Sequence, residues 1–236
     1  MTFNQIKMAI YATFITNFYG YKLTRAKSAM EKKRIRTEYS DLLLSKLKLR
    51  VKVNNIEKLP KEGQFLLASN HRSVIDPLII ELATQNTQLF GHWISKKELY
   101  NSFFFGLFVR NAGTILLDRE QSQMGGFFAD IKSAVEAGDS IYIFPEGTRN
   151  KSENELGEFK DGSRLIAVKN RLDILPIYIK TNADKELMAS LKDGEHHRVI
   201  EVDIGDIISY KEKSKTLQEA FYEQFNIPKP ASKKSL

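Results

Sequence analysis

From about residue 50 onward, short apolar runs alternate with amphipathic helical stretches, and no feature constrains the fold more. Strands are predicted over 65–69, 89–94, 114–117, 141–144, 174–179 and 198–208. Helices are predicted over 77–83, 97–110, 127–136, 163–169 and 216–225. Strands separated by helices imply an α/β fold with a mixed, largely parallel sheet flanked by helices. In such sheets ligands bind beyond the carboxyl ends of the strands. The chain of 236 residues suits one such domain with an appendage, and 42% hydrophobic residues exclude a disordered or polytopic chain. It has no cysteine, which removes disulfide scaffolds, zinc–thiolate sites and a thiol nucleophile.

Polar clusters follow the predicted strands. The run Asn70-His71-Arg72-Ser73-Val74-Ile75-Asp76 follows the strand at 65–69. Asp76 starts a helix, so its carboxylate can reach back one turn to the His71 imidazole. It would then fix the ring tautomer and stabilise the imidazolium, as a general base requires. The competing reading has Asp76 as a helix cap beside an ordinary loop histidine. A second cluster, Gly113 to Arg119, ends a strand in the pair Asp118–Arg119. In the third, Phe144-Pro145-Glu146-Gly147-Thr148-Arg149, a Pro–Gly turn presents Glu, Thr and Arg together at the sheet rim. An arginine fork suits a phosphate and a carboxylate suits ligand hydroxyls. A late apolar strand carries Pro176.

In this order and spacing, the clusters resemble the glycerolipid acyltransferase family, and most closely its bacterial 1-acyl-sn-glycerol-3-phosphate acyltransferases. Ser95-Lys96-Lys97-Glu98-Leu99 resembles the family's lysine-containing segment, and Lys160, Gly162 and Ala167 fit the stretch before the fourth block. The likeness covers about residues 50–180. The fourth block departs from pattern, with Asp173 near where a first proline is expected. The resemblance implies transfer of an acyl group from acyl-CoA or acyl-carrier protein to the sn-2 hydroxyl of lysophosphatidic acid, giving phosphatidic acid. The alternative acceptor is another lysophospholipid or an amino-lipid. His71 is implied as the base, Asp76 as its orienting partner and Lys96 as an oxyanion stabiliser. Arg119 and Arg149 are implied to hold the phosphate, with Glu146, Gly147 and Thr148 shaping the glycerol site. No metal and no cofactor are expected beyond the thioester co-substrate. The aromatic run Phe103–Phe105 and its helix would line an acyl groove or belong to the core.

Two other functions have sequence support. Gly138-Asp139-Ser140 with Asp193 and His196 resembles pieces of a GDS-type esterase, but Ser140 precedes its strand and so falls at the wrong end of the sheet. A non-catalytic lipid-binding module is the other.

The net charge of +7 is unevenly placed. Residues 1–52 carry twelve Lys and Arg against three acidic residues (+9), leaving 24 basic against 26 acidic residues (−2) in the rest. No nucleic-acid partner is expected, since nothing matches a groove-reading module. Phe3, Ile6, Ile10, Phe14, Phe18 and Tyr21 share one helical face. A basic stretch from Lys22 to Arg36 and an apolar patch at Leu42, Leu43, Leu44 and Leu47 follow. The apolar run is shorter than the roughly 20 residues a span needs. The segment is read as a two-helix attachment to an anionic membrane surface, peripheral on the cytoplasmic side of the cell membrane, the alternative being an apolar face packed on the body with its charges in solvent. The expected divisions are 1–50 for these helices, 51–227 for the α/β domain and 228–236 for a flexible tail.

Overall fold

The computed structural model describes residues 3–118 and 124–230. Two helices open the chain, α1 (Phe3–Thr24) and α2 (Ala29–Lys46). Then follow β1 (Leu49–Asn54), β2 (Leu66–Ser69), α3 (Asp76–Ala83), β3 (Gly91–Lys96), α4 (Lys97–Tyr100), α5 (Gly106–Asn111) and β4 (Ile115–Leu117). The second half holds α6 (Gly125–Glu136), β5 (Ser140–Ile143), α7 (Gly162–Asn170), β6 (Ile174–Ile179), α8 (Ala183–Lys192), β7 (Arg198–Ile204) and α9 (Leu217–Gln224). The strands form one seven-stranded sheet in the order β1-β7-β6-β2-β5-β3-β4. Every pairing is parallel except β6 with β7. The mixed, largely parallel α/β sheet is therefore as expected.

Strand side chains alternate between two apolar layers. Leu67, Leu175 and Ile177 face a core shared with α1, α2 and α3, whereas Leu66, Ala68 and Ile174 face one shared with α6, α7 and α9. Central strands β2 and β6 are buried on both faces, which is why they read as continuous apolar runs.

Three local readings change. The helix expected over 97–110 is two short helices separated by a turn. Ser102 Oγ accepts the amides of Phe104 and Phe105 there, so the chain folds back before α5. Phe103 is 86% exposed, so this aromatic run is not core. Strand β1 and helix α8 are additional elements, and the last strand stops at Ile204.

The N-terminal helices are more deeply engaged than a basic anchor would be. Helix α1 has two apolar faces. Tyr19 and Leu23 enter the core, while Ile10 and Phe14 on the other side are 67% and 70% exposed. In α2, Lys33 and Arg36 are buried. Lys33 Nζ donates to the carbonyls of Thr84 and Leu89 at 3.0 and 2.7 Å, and burial lowers its pKa to about 8. Arg36 pairs with Glu81 and donates from Nη1 to Gly91 O and Ala112 O at 2.8 and 3.1 Å. Two of the cations counted toward lipid binding are thus consumed by the interior. Leu43, Leu44 and Leu47 are likewise core, not an exposed patch. Among the described residues no helix is long and apolar enough to cross a membrane. Of the 228–236 tail, residues 231–236 lie outside the described residues.

Candidate active site

The carboxyl ends of β2, β3 and β5 open into one cavity of ≈ 760 Å³. Its walls are mainly apolar, with Leu78, Val109, Phe127 and Leu165 among them, and His71, Lys96, Gly147, Thr148, Arg149 and Lys160 at its polar positions. Size and lining match a site for a ligand that is part hydrocarbon and part polar headgroup.

Strand β2 ends at Ser69, and the next residue clamps the strand tops together. Asn70 Nδ2 donates to Ile179 O at 3.0 Å and Asn70 Oδ1 accepts Ile179 N–H at 2.8 Å. This fixes the departure of the 70–75 loop. Asp76 is the first residue of α3, with Pro77 behind it in the position where its missing N–H costs nothing. Its Oδ2 accepts the amides of Arg72 and Ser73 at 2.6 and 2.7 Å and lies 2.8 Å from His71 Nδ1. Two N–H groups aimed at that oxygen make it an acceptor, so Nδ1 carries the shared proton. Nε2 is then the lone-pair nitrogen, in a ring that lines the cavity. The carboxylate does not cap α3: the N-cap position is Ile75, with no side-chain cap bond, and Asp76 instead bonds the loop amides that precede the helix.

The ring is also held from behind. His71 stacks on Phe144 at 4.1 Å and 11°, and Phe144 stacks on Trp93 at 5.0 Å and 24°. Trp93 Nε1 donates to Glu81 Oε1 at 2.8 Å, in the buried pair with Arg36. Trp93, Glu81 and Arg36 carried no motif signal, because a packing contact between distant positions leaves none.

After β5, Gly147 adopts φ +66°, which an L residue rarely tolerates, and its N–H closes a turn on Phe144 O at 2.9 Å. The turn delivers Thr148 and Arg149 to the exposed rim of the cavity. Asn150 N–H donates to His71 O at 2.7 Å, which ties this loop to the first. Glu146 is placed differently from expectation. It is buried and does not line the cavity, and its Oε1 accepts the His71 amide at 3.1 Å. It therefore supports the first loop from outside the cavity lining. Burial raises its carboxyl pKa to about 7. Lys96 ends β3 and lines the cavity beside Ser95. Arg119 lies outside the described residues; the neighbouring Asp118 pairs with Lys97 at 2.9 Å. Phe108 lines the cavity, whereas Phe103 points away to solvent.

Ser140 sits at the opposite end of the sheet, buried, with its hydroxyl accepting Phe65 N–H at 3.1 Å. His196 and Asp193 form an exposed surface pair. The esterase pieces do not meet. Among the described residues no three His, Cys, Asp or Glu side chains are grouped to hold a metal ion.

Residues 50–180 match the family model described as Acyltransferase. A 1-acyl-sn-glycerol-3-phosphate acyltransferase of Helicobacter pylori is 35% identical over 130 residues, 53% of this chain and 53% of that protein. One of Bacillus subtilis is 30% identical over 138 residues, 58% of this chain and 66% of that protein. The first relatives are matched over about half their own length. The crystal structure of the 1-acyl-sn-glycerophosphate acyltransferase PlsC from Thermotoga maritima superposes with a TM-score of 0.68. It covers 93% of this chain and 92% of that one at 20% identity, a likeness of fold.

Proposed function

Because this chain belongs to the acyltransferase family, we propose that it moves a fatty acyl group from an acyl-CoA or acyl-carrier-protein thioester to the sn-2 hydroxyl of lysophosphatidic acid, yielding phosphatidic acid. The observation that carries this reading is the His71–Asp76 pair, with Nδ1 committed at 2.8 Å and the ring facing a largely apolar cavity. Relatives named as 1-acyl-sn-glycerol-3-phosphate acyltransferases supply the acceptor.

In the proposed step, His71 Nε2 takes the acceptor hydroxyl proton as that oxygen attacks the thioester carbonyl carbon. Asp76 stabilises the imidazolium. The Lys96 ammonium faces the tetrahedral oxyanion. Collapse breaks the carbon–sulfur bond, and the thiolate takes the proton back from Nε2. Arg149 holds the acceptor phosphate at the rim, with Gly147 and Thr148 shaping the space beside it; Arg119 is assigned to the same phosphate by family likeness alone. Base and oxyanion partner are both protein groups, so the reaction as written uses no metal or cofactor. The exposed apolar face of α1 (Ile6, Ile10, Phe14, Phe18) and the adjacent Phe103 rest on the lipid surface that holds the acceptor. Asn17 Nδ2 bonds Phe104 O at 3.3 Å, which joins helix and loop into one patch.

Purified protein given acyl thioester and lysophosphatidic acid should form the diacyl product, and His71→Ala should abolish it. Activity surviving in that variant would remove the general base. Fatty acid released without an acceptor would favour a hydrolase, and lipid binding with no turnover would favour a binding module. Equal rates on phosphate-free acceptors would remove the Arg149 role and admit other lipid acceptors.

A further inference from the structure

A second cleft, of ≈ 440 Å³, lies between the start of α7 and the segment leading into α9. It shares Lys160 and Ser163 with the catalytic cavity, so the two spaces adjoin. Its remaining cations are Arg164, Lys213 and Lys215. The body of the chain is otherwise mildly acidic, so this gathering of positive charge is local.

The charges differ in availability. Lys160 is paired with Glu158 at 2.7 Å, and Lys215 with Glu223. Arg164 and Lys213 have no carboxylate partner among the described residues. Of the two acids in the lining, Glu219 is spent on the helix cap, with its carboxylate accepting Thr216 N–H at 2.7 Å. Asp161 remains. The first turn of α7 carries no side-chain cap on its amides. Both acids keep their charge, so what the cleft offers a phosphate is two cations without a carboxylate partner and open first-turn amides, next to the catalytic cavity.

We propose that this cleft binds the phosphate of the acyl donor's pantetheine arm. The inference rests on the acyl-transfer reading. A donor whose acyl chain lies in the apolar cavity must lead its hydrophilic portion out by a polar route, and Lys160 and Ser163 stand at the border of the two spaces. The shared chemistry is a phosphorylated pantetheine, present in coenzyme A and in a loaded acyl-carrier protein.

Isothermal titration with free coenzyme A, and fluorescence anisotropy with holo acyl-carrier protein, read the site without turnover. The Arg164→Glu/Lys213→Glu double variant, confirmed folded by circular dichroism, should bind at least one of them about tenfold more weakly. A loss for coenzyme A identifies the nucleotide-bearing donor. A loss for the holo carrier alone identifies the protein-bound donor, provided the apo carrier, which lacks the phosphopantetheine, binds weakly to both proteins. Unchanged binding of both ligands, or equal binding of apo and holo carrier, overturns the proposal. If wild-type protein binds these ligands but forms no phosphatidic acid, the acceptor assignment fails and the donor site stands.

Discussion

Asp76→Asn is the most informative perturbation of the site. In the familiar serine-hydrolase triad the same change costs about 10⁴ in rate, because the amide presents its NH₂ to the histidine and selects the wrong tautomer. That failure is blocked here. The Arg72 and Ser73 amides converge at 2.6 and 2.7 Å on the oxygen that meets His71 Nδ1. An NH₂ at that position would face two N–H donors, each left buried and unsatisfied at roughly 1–3 kcal/mol. The asparagine oxygen must therefore keep the Oδ2 position and His71 keeps its tautomer. The NH₂ falls where Oδ1 lies, an atom that already has no hydrogen-bond partner. The NH₂ finds no acceptor there, which costs the fold stability, and what the imidazole loses is the negative charge. A hydrogen bond to a charged group contributes roughly 1–2 kcal/mol more than a neutral one, which is about 5- to 30-fold. Asp76→Ala removes the acceptor altogether, frees the imidazole and orphans both amides, so it should approach the loss of His71→Ala. The assay is kcat/KM for lysophosphatidic acid in mixed micelles, with released thiol as the signal. If Asp76→Asn is as damaging as Asp76→Ala, the two amides do not control the tautomer and the reasoning is wrong.

Glu146→Gln should stabilise the protein at pH 8 relative to pH 4. Burial raises the Glu146 pKa from 4.5 to about 7, so ionisation costs the folded state stability as pH rises through that window. The penalty, up to about 3 kcal/mol, is absent from glutamine; urea melts that give a pH-independent difference between variant and wild type would refute it. Phe14→Ser together with Phe103→Ser should weaken liposome binding without lowering the melting temperature, since both rings are mostly exposed. Deleting residues 1–47 is not an equivalent test, because it strips Leu23, Ile35, Tyr39 and Leu44 from the core. Gly91→Ala should destabilise by about 1–3 kcal/mol, as the new methyl would overlap the fully buried Tyr142 ring; an unchanged melting temperature would show that the ring can move. Arg36→Met should cost roughly 3–5 kcal/mol by leaving Glu81 buried without its cation. Its chemical denaturation midpoint checks this, and restoration by the added change Glu81→Gln would confirm the cause.

The elements that sequence determined are those with a local signal. Continuous apolar runs in β2 and β6, the turn chemistry of Pro145 and Gly147, and the one-turn spacing of His71 and Asp76 each need only a few neighbouring residues to have meaning. They were enough to predict the sheet, the rim on which the site lies and the family resemblance. Tertiary structure decided whatever depends on which distant surfaces meet. Lys33 and Arg36 look like lipid-facing cations, yet they bond the carbonyls of Thr84, Leu89, Gly91 and Ala112 and the carboxylate of Glu81. Glu146 looks like a substrate ligand, yet it is buried outside the cavity lining and accepts the His71 amide. Phe144 and Trp93 hold the imidazole through ring faces brought together by β3 and β5 pairing in the sheet. Local pattern specifies which faces are apolar and where the chain turns. Burial removes the solvent that makes surface charges interchangeable, so only the packed chain decides which cation is bonded inside and which remains free for a ligand.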